Sequence, residues 1–401
     1  MKMFDVIIVG GGPAGLHLGI LLAKEGYSVL LLDNRDIIGS QKICTGIVGE
    51  EAFLKWNLPR ELVLSSIQNM KFVGPKNIEI NYHHYEPLAH VVNRHELDLA
   101  LAKRAIDNGV SVRSNSKVEH IHVDSNNVLV VGRNNLDKIT FYEKGRILVL
   151  ATGVNYKFHK KLQLGCPESF LNAAQTHIYV SNPMECTTCY VSRKLAPGAF
   201  AWAVPISQNQ IRVGLMAEGA VHSLFNVFLE NYGHTWKKID SSLTIGYKPI
   251  AQGWKGSIVS DRVIAVGEAA GQVKTTTGGG IYYGMLGSEI AAEILFDCLR
   301  KNTLKKKDLY AYEKKIWNKI GSEIRGGYIL RKFFSELDDC QIEKLFKFAQ
   351  RDGLLKILQN YIHFDWHLSL LLSVLSLPSI HNLLGIRKDL IHLNIKPSWK
   401  N

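Results

Sequence analysis

Glycine-bounded apolar runs open the chain. Phe4 to Val9 is a short β-branched run that ends in Gly10-Gly11-Gly12, Pro13 to Glu25 places apolar residues at helical spacing, and Tyr27 to Leu32 is a second apolar run. A short continuous apolar run bounded by turn residues predicts a buried strand, and the three- to four-residue spacing predicts a helix with one apolar side. The order strand, turn, helix, strand is the start of a parallel α/β sheet. Further on, Ile78 to Val92 reads as a pair of strands around a polar turn, and Arg94 to Asn108 as a helix with Leu97, Leu101 and Ala105 on one face. Short, partly alternating strands follow at Val110 to Arg113, Val118 to Val123, Asn127 to Gly132 and Ile139 to Tyr142, and then a buried strand, Arg146 to Ala151. From there to Tyr247 strands and loops dominate, among them Gln175 to Ser181, Thr188 to Ser192, Phe200 to Pro205 and Ile211 to Met216, which predicts an inserted antiparallel domain. Arg262 to Val266 returns as a buried strand, a glycine-led helix runs from Gly278 to Cys298, and helical segments near Asp308 to Leu337, Cys340 to Asp352 and Trp366 to Leu377 finish the chain.

The first turn carries chemistry. Gly10, Gly12 and Gly15 hold the defining places of a dinucleotide fingerprint, with Pro13 and Ala14 between the last two. Such a turn brings backbone close to a pyrophosphate, and the helix it opens offers free N–H groups to the phosphates. Asp33 follows the second strand 18 residues after Gly15, where a carboxylate can accept ribose hydroxyls.

Composition narrows the classes. With 46% hydrophobic and 21% charged residues in 401, this is an ordinary globular chain of two or three domains, neither disordered nor fibrous. The net charge of +12 is uneven, since residues 301–401 hold 18 Lys+Arg against 10 Asp+Glu. No nucleic-acid recognition motif accompanies it, and nucleic acid is not expected as a partner. Basic runs at Lys305-Lys306-Lys307, Lys314-Lys315 and Arg331-Lys332, beside apolar Leu345, Phe346 and Phe348, fit either an anionic lipid surface or a solvated helix face. Leu368 to Leu377 falls short of the roughly 20 apolar residues that span a bilayer. Six scattered cysteines fit a reducing compartment rather than a disulfide scaffold, and the N-terminus lacks the pattern of an export signal. Cys186-Thr187-Thr188-Cys189 has no second ligand pair at zinc spacing and reads as two core or loop thiols; His83-His84 reads as surface, so no metal is expected.

Taken together, these residues resemble the FAD-dependent oxidoreductases of p-hydroxybenzoate hydroxylase type, and more closely the geranylgeranyl reductase family. Val263 to Gly271 is similar to the second FAD element, with Gly267 and with Glu268 where the family usually has Asp. Gln41-Lys42-Ile43-Cys44-Thr45-Gly46-Ile47 resembles the family's Lys-x-Cys-Gly-Gly loop over the isoalloxazine, with Thr45 for a glycine. Ala196 to Pro205 resembles the Tyr-x-Trp-x-Phe-Pro stretch lining the lipid site, here with Phe200, Trp202, Val204 and Pro205. Lys274 to Ile281 resembles the Pro-Thr-x-Gly-Gly-Gly segment, with Thr275 where Pro is common.

The resemblance implies a Rossmann-like FAD-binding domain of p-hydroxybenzoate hydroxylase/glutathione reductase type (residues 1–70, 93–157 and 248–300), an inserted antiparallel β-sheet substrate domain (71–92 and 158–247) and a C-terminal helical region (301–401). FAD contacts are then expected from Gly10, Gly12, Pro13, Ala14, Gly15, Asp33, Lys42, Cys44, Thr45, Gly46, Arg94, Ala151, Gly153, Gly267, Glu268, Gly278, Gly279, Gly280 and Ile281. Phe200 and Trp202 alternate in a strand and share a side, which walls an apolar tunnel or is plain core. Cys44 is the candidate catalytic residue, as proton donor, directly or through water, or as part of a gate. The implied activity is saturation of geranylgeranyl C=C bonds in a lipid precursor, with archaeal-type phospholipid synthesis the leading setting. NAD(P)H, ferredoxin and deazaflavin stay open as electron donors, and a redox donor protein is a candidate partner. The expected place is the cytoplasm, peripheral at the inner face of the membrane. A flavin monooxygenase and a non-enzymatic prenyl-binding escort are the competing readings.

Overall fold

The computed structural model describes residues 2–40, 43–236, 244–351, 362–378 and 380, whose strands form three sheets. In the largest, Met3–Val9 lies between Val29–Leu32 and Thr140–Leu150, parallel to both; Ser111–Arg113 and Val263–Ala265 extend it on either side. Val6, Ile7, Ile8, Leu30, Leu31, Leu148 and Val149 are fully buried. A parallel strand covered on both faces has no solvent side, hence the unbroken apolar runs. Helices Pro13–Lys24 and Ile281–Lys301 pack against each other over this sheet, with Ser288 Oγ donating to the Ala14 carbonyl at 2.8 Å.

A seven-stranded sheet is built in the order Gly246–Gln252, Ser169–Tyr179, Gln210–Ala217, Phe200–Ser207, Thr187–Tyr190, Asn69–Val73, Glu79–His83. Helix Val221–Tyr232 covers one face through the buried rings of Phe225 and Phe228. Against the opposite face an apolar cluster of Trp202, Val204, Met216 and Leu171 reaches Ile67, Ala89 and Val91 of a three-stranded sheet, Ile47–Gly49, Ala89–Val92 and Val63–Ile67. The strand pair expected in Ile78 to Val92 forms, but its two members join different sheets. His84 makes the switch: it is buried, its amide donates to the Gln68 carbonyl, and its Nδ1 lies 2.7 Å from the Glu86 carbonyl oxygen, so only His83 of the expected surface pair is exposed.

The C-terminal region begins with the 31-residue helix Lys306–Glu336, followed by Asp339–Arg351 and, later, Leu368–Leu375. Two surface expectations are corrected here. Arg331 is buried, donating to the Gly198 carbonyl at 3.2 Å and pairing with Glu218 at 2.9 Å. Phe346 is buried with Ile342 and Leu337, its ring against Gly74, so the apolar side of Asp339–Arg351 packs on the edge of the seven-stranded sheet rather than facing outward. The same long helix touches the parallel sheet, where Tyr312 Oη donates to the Ala265 carbonyl at 2.9 Å.

Candidate functional site

A cavity of about 590 Å³ opens where the carboxyl ends of Met3–Val9 and Val29–Leu32 meet the edge of the seven-stranded sheet. Ligands of open α/β sheets bind at such a crevice. Gly10 has φ +113°, and a Cβ there would lie 2.3 Å from the Ala151 carbonyl oxygen; one on Gly15 would lie 2.2 Å from the Gly10 carbonyl oxygen. These two glycines let turn, strand and helix close on one another. Gly12 differs: it precedes the first turn of Pro13–Lys24, and a Cβ built on it meets nothing within 4 Å. The open space beside it is where a pyrophosphate would meet the helix's free N–H groups.

Asp33 sits at the far end of this wall, 3% exposed. Its Oδ2 accepts from the Gly11 amide at 2.6 Å, and Arg35 grips both carboxylate oxygens. Burial raises the carboxyl, but the Arg35 guanidinium and the two backbone amides outweigh it and hold the group below its ordinary range. Opposite, Glu268 Oε2 pairs with Lys248 Nζ at 2.8 Å, so the longer carboxylate at this position reaches across to the seven-stranded sheet.

Cys44 forms the inner wall. Helix Arg94–Asp107 begins at Asn93, whose side chain accepts from the His95 amide, a cap worth about 1 kcal/mol that fixes Arg94 in the first turn. Arg94 bonds the fully buried Asp98 one turn on at 2.9 Å and donates from Nη1 to Cys44 Sγ at 3.2 Å. The Gly46 amide also donates to Sγ, at 3.4 Å. Burial raises the thiol, but the charges of Arg94 and Lys248 more than offset it and draw it below its ordinary range. The loop is held from the other side as well. Gln175 Nε2 donates to the Cys44 carbonyl at 3.2 Å, Thr45 Oγ1 donates to Gln175 Oε1 at 3.0 Å, and the buried Arg212 bonds both the Thr45 carbonyl and His177 Nε2.

The third wall is Gly278, Gly279, Gly280 and Ile281, where helix Ile281–Lys301 starts. Gly278 has φ +73°, in the left-handed region. Reciprocal backbone bonds, Lys274 N to Gly279 O and Gly278 N to Lys274 O, close the loop before it.

Of the residues expected from sequence, Gly10, Gly12, Pro13, Ala14, Asp33, Cys44, Arg94, Ala151, Gly153, Gly267, Glu268 and Gly278 to Ile281 line this one cavity. Gly15, Thr45 and Gly46 do not line it, and Lys42 lies outside the described residues. Phe200 and Trp202 share a face as expected, their rings 5.9 Å apart, and pack within the apolar cluster rather than on the cavity; the Pro205 carbonyl accepts from Ser65. Trp202 Nε1 is buried without a partner. Cys189 is pushed up to about 12 by burial alone. Among the described residues no group of three His, Cys, Asp or Glu side chains could hold a metal ion. Sequence reasoning missed Lys248, Gln175, His177 and Arg212. Only Asp98, one helical turn from Arg94, carried a readable signal.

The model of the lycopene cyclase protein family matches residues 5–365. An uncharacterized protein of Methanocaldococcus jannaschii is 27% identical, covering 97% of this chain and 99% of its own. Digeranylgeranylglycerophospholipid reductase 2 of Methanothermobacter thermautotrophicus is also 27% identical, covering 89% and 97%. Among solved structures, a geranylgeranyl bacteriochlorophyll reductase-like protein of Thermoplasma acidophilum superposes with a TM-score of 0.82 at 20% identity, covering 96% of this chain and 99% of that one.

Proposed function

The chain belongs to the lycopene cyclase protein family, and from that premise we propose that it is an FAD-dependent reductase that saturates C=C bonds of geranylgeranyl chains in a phospholipid precursor. The observation that carries this reading is the Cys44 sulfur, gripped by Arg94 at the wall of the cavity that the Gly10–Gly15 turn and the Gly278–Gly280 segment also bound. The residues fit the cofactor: the space beside Gly12 takes a pyrophosphate, Asp33 waits at the ribose end, and the Gly278–Gly280 backbone can approach a flat ring. Bound and reduced, FAD supplies a hydride to one alkene carbon.

The protein's share is positioning and the proton. An isolated alkene has no carbonyl to polarise, so close placement and an acid at the second carbon must do the work. Cys44 Sγ holds that proton. Arg94, itself held by Asp98, fixes the direction of the sulfur, and its charge together with that of Lys248 draws the thiol below its ordinary range. Free N–H groups at the start of helix Ile281–Lys301 favour negative charge on the reduced ring. The apolar cluster around Trp202 and Phe200, next to the Cys44 loop, is where a prenyl chain would find apolar surface.

The test is to reduce the purified protein with dithionite, add a geranylgeranyl phospholipid under anaerobic conditions, and follow its mass. A gain of two hydrogens per reduced bond is expected. An unchanged lipid, together with rapid oxygen-dependent and substrate-stimulated nicotinamide oxidation, would replace the reductase with a monooxygenase.

The reading also places the protein at a membrane surface. No helix among the described residues is long and apolar enough to cross a bilayer. Lys305, Lys306, Lys307 and Lys314 are exposed, and the apolar helix Leu368–Leu375 is only half buried beyond Ser369. Co-sedimentation with vesicles containing anionic lipid is expected at low salt and reduced at high salt, as screening weakens surface attraction; equal recovery in the supernatant with and without vesicles counts against it.

A further inference from the structure

The loop that leads into Gly278–Gly280 contains a buried cation. Lys274 is 5% exposed, and its Nζ donates to Asp365 Oδ1 at 2.8 Å and to the Phe364 carbonyl at 3.0 Å, while standing 4.4 Å from the centroid of the Phe364 ring. Its stem runs beneath the glycines: a Cβ on Gly279 would lie 2.7 Å from Lys274 Cε. Asp365, 3% exposed, also touches the other cofactor-facing element. A Cβ on Gly49, at the end of the strand that follows the Cys44 loop, would lie 2.2 Å from Asp365 Oδ2, and that oxygen has no hydrogen-bond partner.

The segment around Asp365 is fastened from several sides. Tyr283 Oη donates to the Asp365 carbonyl at 2.9 Å, Trp366 Nε1 to Glu51 Oε2 at 3.2 Å, and the His367 and Leu368 amides to Glu323 Oε2 at 3.0 Å each. Thr276 Oγ1 and His367 Nδ1 are 2.6 Å apart. Desolvating an ammonium and a carboxylate costs several kcal/mol per ion, so a buried pair with one unbonded carboxylate oxygen is a poor source of stability. Its other use is to fix register.

We propose that Lys274 and Asp365 are a positioning pair for the cofactor loop: residues 363–368 form a strap that sets where the Gly278–Gly280 backbone lies and what charge stands behind it, at the wall where a flavin ring would be held. This rests on the FAD reading above. The pair balances its own charge, so removing either member changes what the ring senses as well as where the loop lies.

Wild type, Lys274→Met, Asp365→Asn and the apolar double variant Lys274→Met/Asp365→Leu are compared by thermal melting, FAD dissociation constant and flavin midpoint potential. Asp365→Asn leaves the ammonium uncompensated and is expected to raise the midpoint potential, which Lys274→Met does not. Lys274→Met is expected to weaken FAD at least tenfold. The double variant, free of buried charge, is expected to recover the melting temperature of the flavin-free protein but not the affinity for FAD. Wild-type affinity in the double variant, or equal shifts of potential in the two single variants, overturns the proposal. If wild type takes up no FAD, the function reading fails by itself. Hydrogen exchange at residues 274–280 then decides: faster exchange in Lys274→Met than in wild type supports the pin, and unchanged exchange overturns it.

Discussion

Gly10→Ala is expected to yield a less stable protein that purifies without flavin absorbance, whereas Gly12→Ala is expected to melt like flavin-free wild type and still lose the flavin. The contrast follows from where each methyl would go. At Gly10 the backbone has φ +113° and the methyl would stand 2.3 Å from the Ala151 carbonyl oxygen, so the turn must shift off the neighbouring strand. Strain at a positive φ costs about 1–3 kcal/mol and overpacking about as much again. At Gly12, φ is −89°, which alanine adopts freely, and the methyl enters only the open space of the cavity. The ratio of flavin to protein absorbance and the thermal midpoint separate the two effects. Both variants binding FAD as tightly as wild type would remove the phosphate-cradle role from this turn.

Cys44→Ala and Cys44→Ser are expected to keep bound FAD and lose turnover by about 10²–10⁴-fold, the usual worth of a positioned acid. Wild-type turnover in both would end the proton-donor role. The charge environment gives an independent readout. Because Arg94 and Lys248 draw the thiol down against the opposing effect of burial, thiolate persists to lower pH than in an ordinary cysteine. The rate of iodoacetamide alkylation at Cys44 should therefore rise at lower pH than for a free cysteine, and its midpoint should move up when Arg94 is removed. Arg94→Met alone would strand the fully buried Asp98 carboxylate, so the informative variant is Arg94→Met/Asp98→Leu. An unshifted alkylation profile there means that Arg94 does not set the thiol's charge.

What the sequence disclosed about this molecule was mostly local. The first turn, its buried strands and the apolar face of the helix that begins at Arg94 are all written within a few dozen residues, because backbone sterics and helix periodicity act over that range. Strands such as Asn69–Val73 and Val63–Ile67 are not marked in the sequence, since they are short, do not alternate cleanly between apolar and polar sides and owe their existence to neighbours elsewhere in the chain. The same limit applies to the site. Gln175 and Arg212 reach the Cys44 loop from 131 and 167 positions away in their bonded pairs, and no local pattern marks a glutamine or an arginine as a loop anchor. Arg331 and Phe346 show the converse error. Basic and amphipathic spacing describes what a helix offers, but whether membrane, water or a neighbouring strand accepts the offer is decided by tertiary packing.

Helix Lys306–Glu336 has a mechanical consequence. At 31 residues it is about 46 Å long. Near its start Glu313 accepts from the Ile258 amide at the edge of the parallel sheet; further along the Ile324 carbonyl accepts from Thr275, and near its end Arg331 holds the Gly198 turn of the seven-stranded sheet. One continuous rod is thus riveted to both sheets and to the loop between them. The two halves of the molecule cannot swing apart like jaws without breaking that rod or its rivets. A long prenyl chain, if bound as proposed, would then have to enter past loops and side chains without help from domain opening.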